Sequence, residues 1–404
     1  MSSPDFDVLV VGAGIAGGAL VRSLLGSGLR IALVEANPMV CELPALEPGV
    51  AGFDSRVSAI TPASSQVLDA LGVWKQVSDH RACPYQHMRV WDAEGTGGIG
   101  FDAAELDVAA LGHIVENRLL TAALLQDVGQ ADQVTLFNPA RVQGLRRDES
   151  QHPILALEDG QELSTRLLVA ADGALSRIRD LANYRTREWD YGHHALVATV
   201  QTEQFHQATA YQRFLETGPL AFLPLQSQGE AHFCSIVWSC EADVAAEKLA
   251  YGDAQFCDDI AAALEHRLGA VLAASPRFSF PLRQRHALDY VQPGIALIGD
   301  AAHTIHPLAG QGINLGLQDV AVLAEEIIAA QSRGISPGEL VVLQRYQRRR
   351  KSENLLMMAA MDGFKRLFGQ RQLPLRWLRN AGMRLVDQSG PVKAQLMRHA
   401  MGIR

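Results

Sequence analysis

Asp7-Val8-Leu9-Val10-Val11-Gly12-Ala13-Gly14-Ile15-Ala16-Gly17, with Glu35 eighteen residues after the last glycine, is the stretch that decides the fold. Val8 to Val11 is a continuous apolar run, the pattern of a strand buried on both faces. The glycines open a helical stretch through Gly28, and Ile31 to Glu35 reads as a second strand, so the segment is one βαβ unit of a parallel, doubly wound sheet. Small residues at this spacing let the backbone come close to a pyrophosphate whose charge faces the helix N-terminus. A carboxylate ending the next strand then accepts hydrogen bonds from the adenosine ribose. Gly12, Gly14, Ile15, Ala16, Gly17 and Glu35 are therefore candidate dinucleotide contacts. Spacing alone is weak evidence, because Gly95-Thr96-Gly97-Gly98-Ile99-Gly100 matches it too; no helix follows, and it reads as a hairpin turn.

Outward from this unit, residues 55–75 and 116–128 read as helical, and Arg166 to Asp172 as another apolar strand ending in a turn. From His194 to Cys240 the pattern alternates and is aromatic-rich, broken by turns at Thr217-Gly218-Pro219 and Gln228-Gly229, which predicts an antiparallel sheet. Gly294 to Gly299 is again an apolar strand, followed by a glycine-rich turn and a helix from Asn314 to Ala330. The expected class is α/β: a Rossmann-type domain over 1–184 and 285–345, an inserted, mainly antiparallel substrate sheet over 185–284, and a helical, basic segment over 346–404.

The 404 residues are 48% hydrophobic and 20% charged, enough for a large core in two or three domains. The net charge of −8 argues against a nucleic-acid partner. Arg345 to Arg404 nonetheless carries fourteen Lys/Arg against three Asp/Glu, a local +11 that leaves −19 to the preceding residues. Five cysteines without a C-x-x-C suggest neither a disulfide framework nor zinc, and a reducing cytoplasm fits them. The apolar start follows Asp5 and Asp7 and is no secretory signal, and no run is long enough to span a membrane. His303, His306, His193 and His194 lack a carboxylate at metal-ligand spacing, so no metal is expected. Gly334-Ile335-Ser336-Pro337-Gly338 matches G-x-S-x-G but joins two helices, so a hydrolase elbow is rejected.

Two further turns follow apolar strands: Ala171-Asp172-Gly173-Ala174-Leu175-Ser176-Arg177-Ile178-Arg179 and Gly299-Asp300-Ala301-Ala302-His303. Taken with the glycine fingerprint, and in this order, they resemble the flavoprotein aromatic hydroxylases. His306-Pro307-Leu308-Ala309-Gly310-Gln311-Gly312-Ile313-Asn314-Leu315-Gly316-Leu317-Gln318-Asp319 is similar throughout to the signature of that group's ubiquinone-biosynthesis hydroxylases. Here glycines let backbone lie against a flat ring, and a helix beginning near Asn314 directs its N–H groups and positive dipole end at it. The resemblance implies a tightly, non-covalently bound FAD, with NAD(P)H as a transient reductant and O2 as co-substrate. By the same resemblance Asp172, Gly173, Gly299, Asp300, Gly310, Gln311, Gly312, Ile313 and Asn314 would contact FAD. Asp54-Ser55-Arg56-Val57 and Val115-Glu116-Asn117-Arg118 match family segments near the flavin, which adds Arg56 and Asn117, with Arg118 the weaker choice. Val142, in Ala140-Arg141-Val142, falls where the family pairs backbone with adenine.

The family implies hydroxylation of an electron-rich ring inside a dry pocket, one wall made by the flavin and the other by the inserted sheet. Arg56 would contribute electrostatically, and the Pro307 carbonyl would polarise the phenol; Pro307 also reads as a plain turn former. The substrate expected is a hydrophobic polyprenylphenol. Leu111–Asn117 and Trp189–Thr199 resemble the member acting at ring position C5, and Arg285–Gly294 the one acting at C6; C5 is favoured, with C6 and C1 as alternatives. A same-fold reductase of prenyl lipids and a non-enzymatic FAD-holding subunit of a quinone-synthesis complex are the rival readings. Six of the nine Met lie among the cations of the C-terminal segment. That pattern suits helices packed with solvated cationic faces, and it also suits a surface touching anionic lipid on the inner face of the membrane or joining a ubiquinone-biosynthesis complex.

Overall fold

The computed structural model describes residues 3–93, 97–304, 312–368, 387 and 389–402. Its first sheet is built outward from the strand Phe6–Val11, which pairs in parallel with Glu162–Ala170 on one side and Ile31–Val34 on the other, Val8 lying opposite both Leu167 and Ile31. Ile295–Leu297 and Val134–Phe137 extend the parallel sheet at its two ends. Residues 8–11, 31–34 and 167–170 are all buried, as strands covered on both faces must be. The helices Ile15–Ser23, Asn117–Leu125 and Gly312–Gln331 supply the covering layers through Leu20, Leu124 and Leu323.

The second sheet has nine strands, and its long members Thr186–Thr202, Gly218–Gln228, Ala231–Glu241 and Phe278–Ala287 pair antiparallel. Alternation sorts their side chains. Leu196, Ala198, Phe222, Ile236 and Trp238 pack beneath the helices Ala242–Ala250 and Asp253–Ala263, while the residues between them face the first domain. The strands His87–Asp92 and Gly98–Asp102 form the expected hairpin around the second glycine match. They lie within the span assigned to the FAD-binding domain, yet they extend the second sheet, because His87–Asp92 pairs in parallel with Thr209–Leu215.

The stretch 55–75 is not one helix. Val57–Ile60 is a strand against Gly112–Glu116, and the helix begins at Pro62, with Thr61 accepting the Ser64 N–H and proline at the first helical position. Gly334–Gly338 joins the helix Gly312–Gln331 to the helix Leu340–Phe368, which runs through the expected boundary at residue 346. A last helix, Gly390–Met401, seats Met397 and Met401 against Ala103 and Leu111.

Candidate active site

The three motifs meet at the carboxyl ends of the parallel strands, where a doubly wound sheet binds its ligands. The fingerprint glycines divide by geometry. A Cβ on Gly12, held at φ +101°, would lie 2.4 Å from the Ala171 carbonyl oxygen, and one on Gly17 would lie 1.8 Å from that of Gly12. Gly14, the N-cap of the helix Ile15–Ser23, would meet nothing within 4 Å, so its backbone stays open to a phosphate. Glu35 accepts the Ala13 and Asn37 N–H groups, both at 2.8 Å, which holds the loop while leaving lone pairs for a ribose. Ala16, Gly299 and Gly316 are the small contacts where the fingerprint helix, the Gly–Asp turn and the helix Gly312–Gln331 touch.

In the Asp–Gly turn, Asp172 Oδ2 accepts the Ile178 N–H at 3.1 Å, while its buried Oδ1 has no partner. Burial raises this carboxyl's pKa, against the hydrogen bonds it accepts. An orphaned acceptor beside Gly173, which is open and at φ +82°, is what a ligand hydroxyl would satisfy. The buried Arg179 donates to the Ala301 and Ala174 carbonyls at 3.1 and 3.0 Å, tying the Asp–Gly turn to the Gly–Asp turn, and Arg285 adds a bond to Ala174 at 2.6 Å from the second sheet.

Asp300 lies open to a cavity of about 680 Å³. Protein atoms around it still displace water, and this burial raises its pKa against the opposing pull of His303 and Arg56. Arg56 and Asn117 line the same cavity, as do Gly312 and Ile313. The Arg56 loop is pinned by the buried Glu116, which accepts from the Asp54 N–H at 2.6 Å, Arg81 Nε at 2.6 Å and Arg118 Nε at 2.9 Å. Arg118 is spent on Glu116 and the Gly52 carbonyl, whereas Asn117 bonds Ser58 and faces the cavity, so geometry favours Asn117 of the two. The Asn314 side chain is occupied, accepting the Thr61 N–H at 3.0 Å and donating to the Ala59 carbonyl at 2.8 Å, so only its backbone is left for a ligand. Val142 begins a strand with an open outer edge, away from the cavity. Pro307, Gly310 and Gln311 lie outside the described residues.

The opposite wall is the second sheet, which turns larger side chains such as Met88, Tyr211, Leu223 and Phe280 inward together with a patch of small ones: Ala195, Val197, Ala221, Ser235, Val237 and Ser239. Their size is what leaves room for a ligand. Among the described residues no group of three or more His, Cys, Asp or Glu could hold a metal ion. His303 is instead engaged by Asp319 at 2.5 Å, and His194 lies 3.0 Å from Ser279 Oγ. Sequence reading assigned no role to Arg179, Arg285, Glu116 or Asp319. The available signal was a charge within otherwise apolar helical spacing, as at Asp319, which requires buried partners.

The open Gly14 backbone, the orphaned Asp172 oxygen and the cavity wall at Gly312 and Ile313 suit the pyrophosphate, a hydroxyl-bearing chain and the ring system of FAD respectively. Comparison with known proteins agrees. The family described as an FAD binding domain matches residues 5–359. The 3-demethoxyubiquinol 3-hydroxylase of Escherichia coli is 38% identical over the whole of both chains. The ubiquinone hydroxylase UbiL of Rhodospirillum rubrum is 38% identical over 98% of this chain and 89% of its own, and the human ubiquinone biosynthesis monooxygenase COQ6 is 33% identical over 98% and 92%. Among solved structures, p-nitrophenol 4-monooxygenase PnpA of Pseudomonas putida shares the fold with a TM-score of 0.77 at 18% identity, covering 100% of both chains. PqsL of Pseudomonas aeruginosa does so with 0.76 at 22% identity, covering 94% of this chain and 99% of its own. This chain belongs to the FAD-binding-domain family of flavoproteins, together with the ubiquinone-biosynthesis hydroxylases.

Proposed function

We propose that this protein is an FAD-dependent monooxygenase that hydroxylates the aromatic ring of a polyprenylphenol-type intermediate in ubiquinone biosynthesis. The observation that carries the reading is the cavity itself, with flavin-motif residues on one wall and a predominantly apolar face of the second sheet, with a patch of small side chains, on the other. When bound, FAD supplies the redox chemistry that takes electrons from NAD(P)H and inserts one atom of O2 into the ring. The protein's part is placement and exclusion of water. Gly12, Gly14, Ile15, Ala16, Gly17 and Glu35 hold the pyrophosphate and ribose, Val142 the adenine, and Asp172, Gly173, Gly299 and Asp300 the chain between. Gly312 and Ile313, on the cavity wall, and the Asn314 backbone would face the ring system, while Gly310 and Gln311, assigned with them, lie outside the described residues. Ala195, Val197, Ala221 and Val237 give the substrate ring a dry floor. Arg56 places a cation on the cavity wall where negative charge develops; the Pro307 carbonyl, which the family signature offers as acceptor for the phenol, lies outside the described residues.

Ring position C5 is the reading drawn from the chain's own segments. The Escherichia coli relative is named for 3-hydroxylation of 3-demethoxyubiquinol, so that compound is the second substrate to supply. The basic C-terminal segment serves peripheral contact with the inner face of the membrane and with other enzymes of the pathway. No helix among the described residues is long and apolar enough to cross a membrane.

The test is purified protein reconstituted with FAD and given NAD(P)H, O2 and short-chain prenylphenols. Substrate-stimulated O2 uptake with a product heavier by one oxygen atom supports the reading. NAD(P)H oxidation without O2 uptake would favour the reductase, and no turnover at all the scaffold subunit. The quinone intermediate accumulating in a deletion strain, identified by mass, assigns the ring position.

A further inference from the structure

Asp319 sits mid-way along the helix Gly312–Gln331, fully buried, where a carboxylate must find donors for both its oxygens. The two oxygens serve different parts of the molecule. Oδ2 accepts the Gly299 N–H at 3.1 Å and lies 2.5 Å from His303 Nε2, so one atom holds both ends of the turn Gly299–His303. Asp300 is carried between those anchors and opens to the cofactor cavity. Oδ1 accepts Arg350 Nε at 2.8 Å and Asn354 Nδ2 at 3.2 Å, both from the helix Leu340–Phe368, and Arg350 Nη2 donates to Asn354 Oδ1 at 2.8 Å. Neither Arg350 nor Asn354 lines the cavity, and both are buried. Burial works to raise the Asp319 pKa, but His303 and Arg350 outweigh it and hold the carboxyl below its usual range. A buried ion pair adds little net stability compared with apolar packing, and its best-attested use is to select one geometry among several.

We propose that Asp319 is a positioning residue through which Arg350 and Asn354 of the long helix set the place of Asp300, and with it the affinity for FAD. The proposal rests on the cavity holding FAD and not on the ring substrate, so it is read in an assay separate from turnover.

The experiment titrates cofactor-free protein with FAD, followed by flavin fluorescence, beside thermal unfolding of the same protein without FAD. Asp319→Asn and Arg350→Gln each weaken FAD binding about tenfold, the loss expected when one charge-assisted contact is misplaced. The double variant binds no worse than the weaker single one, because both changes act through one carboxylate. The control is Lys248→Met, which breaks the half-buried Lys248–Asp259 pair (2.6 Å) beneath the second sheet; it lowers the thermal midpoint and leaves FAD affinity unchanged. If Asp319→Asn does not fold, Arg350→Gln and Asn354→Leu form the same cycle from the helix side. Three results overturn the proposal: losses that multiply in the double variant, an FAD affinity of Arg350→Gln within roughly twofold of the parent, or an equal loss of affinity in Lys248→Met.

Discussion

Gly14 and Gly17 stand three residues apart, at the N-cap and in the first turn of the helix Ile15–Ser23, yet substitution should separate them. Gly14→Val adds a side chain whose Cβ meets no protein atom within 4 Å, so the fold should tolerate it while phosphate approach is blocked. The variant should purify colourless, with a thermal midpoint near that of the FAD-free parent; full flavin content would refute the placement of the fingerprint. Gly17→Ala puts a Cβ 1.8 Å from the Gly12 carbonyl, and backbone must move to admit it. It should destabilise the cofactor-free protein by about 3 kcal/mol, measured by urea unfolding. At Asp300 the prediction runs the other way. Its pKa is raised in the folded protein, so the ionised form is penalised by folding, and the cost sets in as pH rises above the ordinary aspartate value through the folded one. Asp300→Asn should therefore raise the thermal midpoint of FAD-free protein at neutral pH, with the difference closing as the pH is lowered through the folded pKa. FAD affinity should fall about tenfold in the same variant. A midpoint difference that does not change with pH would show that desolvation of this carboxylate is not its origin.

At the scale of elements, the second sheet makes a wall by alternation. Phe222 and Ile236 enter the core beneath two helices, whereas Ala221 and Val237, one residue along each strand, face the cavity. Ala221→Phe should fill the floor without disturbing the flavin motifs. Hydroxylation should drop by about tenfold or more at a fixed, sub-saturating substrate concentration, with FAD content and its absorption spectrum retained. Loss of flavin in that variant would mean that the floor belongs to the cofactor and not to the substrate.

Across the whole molecule, charge is divided between an acidic body and a basic end. Several cations of that end are paired with carboxylates of the same chain. Arg350 bonds Asp319, Arg349 meets Glu325 and Glu326, and Lys393 meets Glu105 at 2.7 Å and Asp387 at 3.2 Å while seating the last helix. Packing thus accounts for part of the +11. Arg366, Arg376 and Arg379 belong to the stretch proposed to meet lipid, and their side chains lie outside the described residues. Replacing these three with Gln should weaken binding to anionic vesicles and slow turnover of long-tailed substrates, with short-chain substrates and FAD content spared. Each exposed cation adds about 1 kcal/mol near an anionic surface, screened within a Debye length, so binding of the parent should also decline with salt. Vesicle binding indifferent to salt would leave only the packed-helix reading.

The sequence by itself determined what depends on neighbours along the chain. The βαβ unit, its small residues and Glu35 lie within about thirty residues, and each has a local reason: a turn, a close backbone approach, a strand end. The alternating middle was legible as an antiparallel sheet for the same reason, since its period of two is written residue by residue. Four residues at Val57–Ile60 are too few to show a period, and only pairing with His113–Glu116 makes them a strand. The hairpin 87–102 was readable as a hairpin, but which sheet it joins was decided by a partner more than a hundred residues away. The same holds for the cavity floor and for the Asp319 and Glu116 bridges, whose donors come from separate elements. A buried charge announces that it needs partners; which groups supply them is decided when the elements pack.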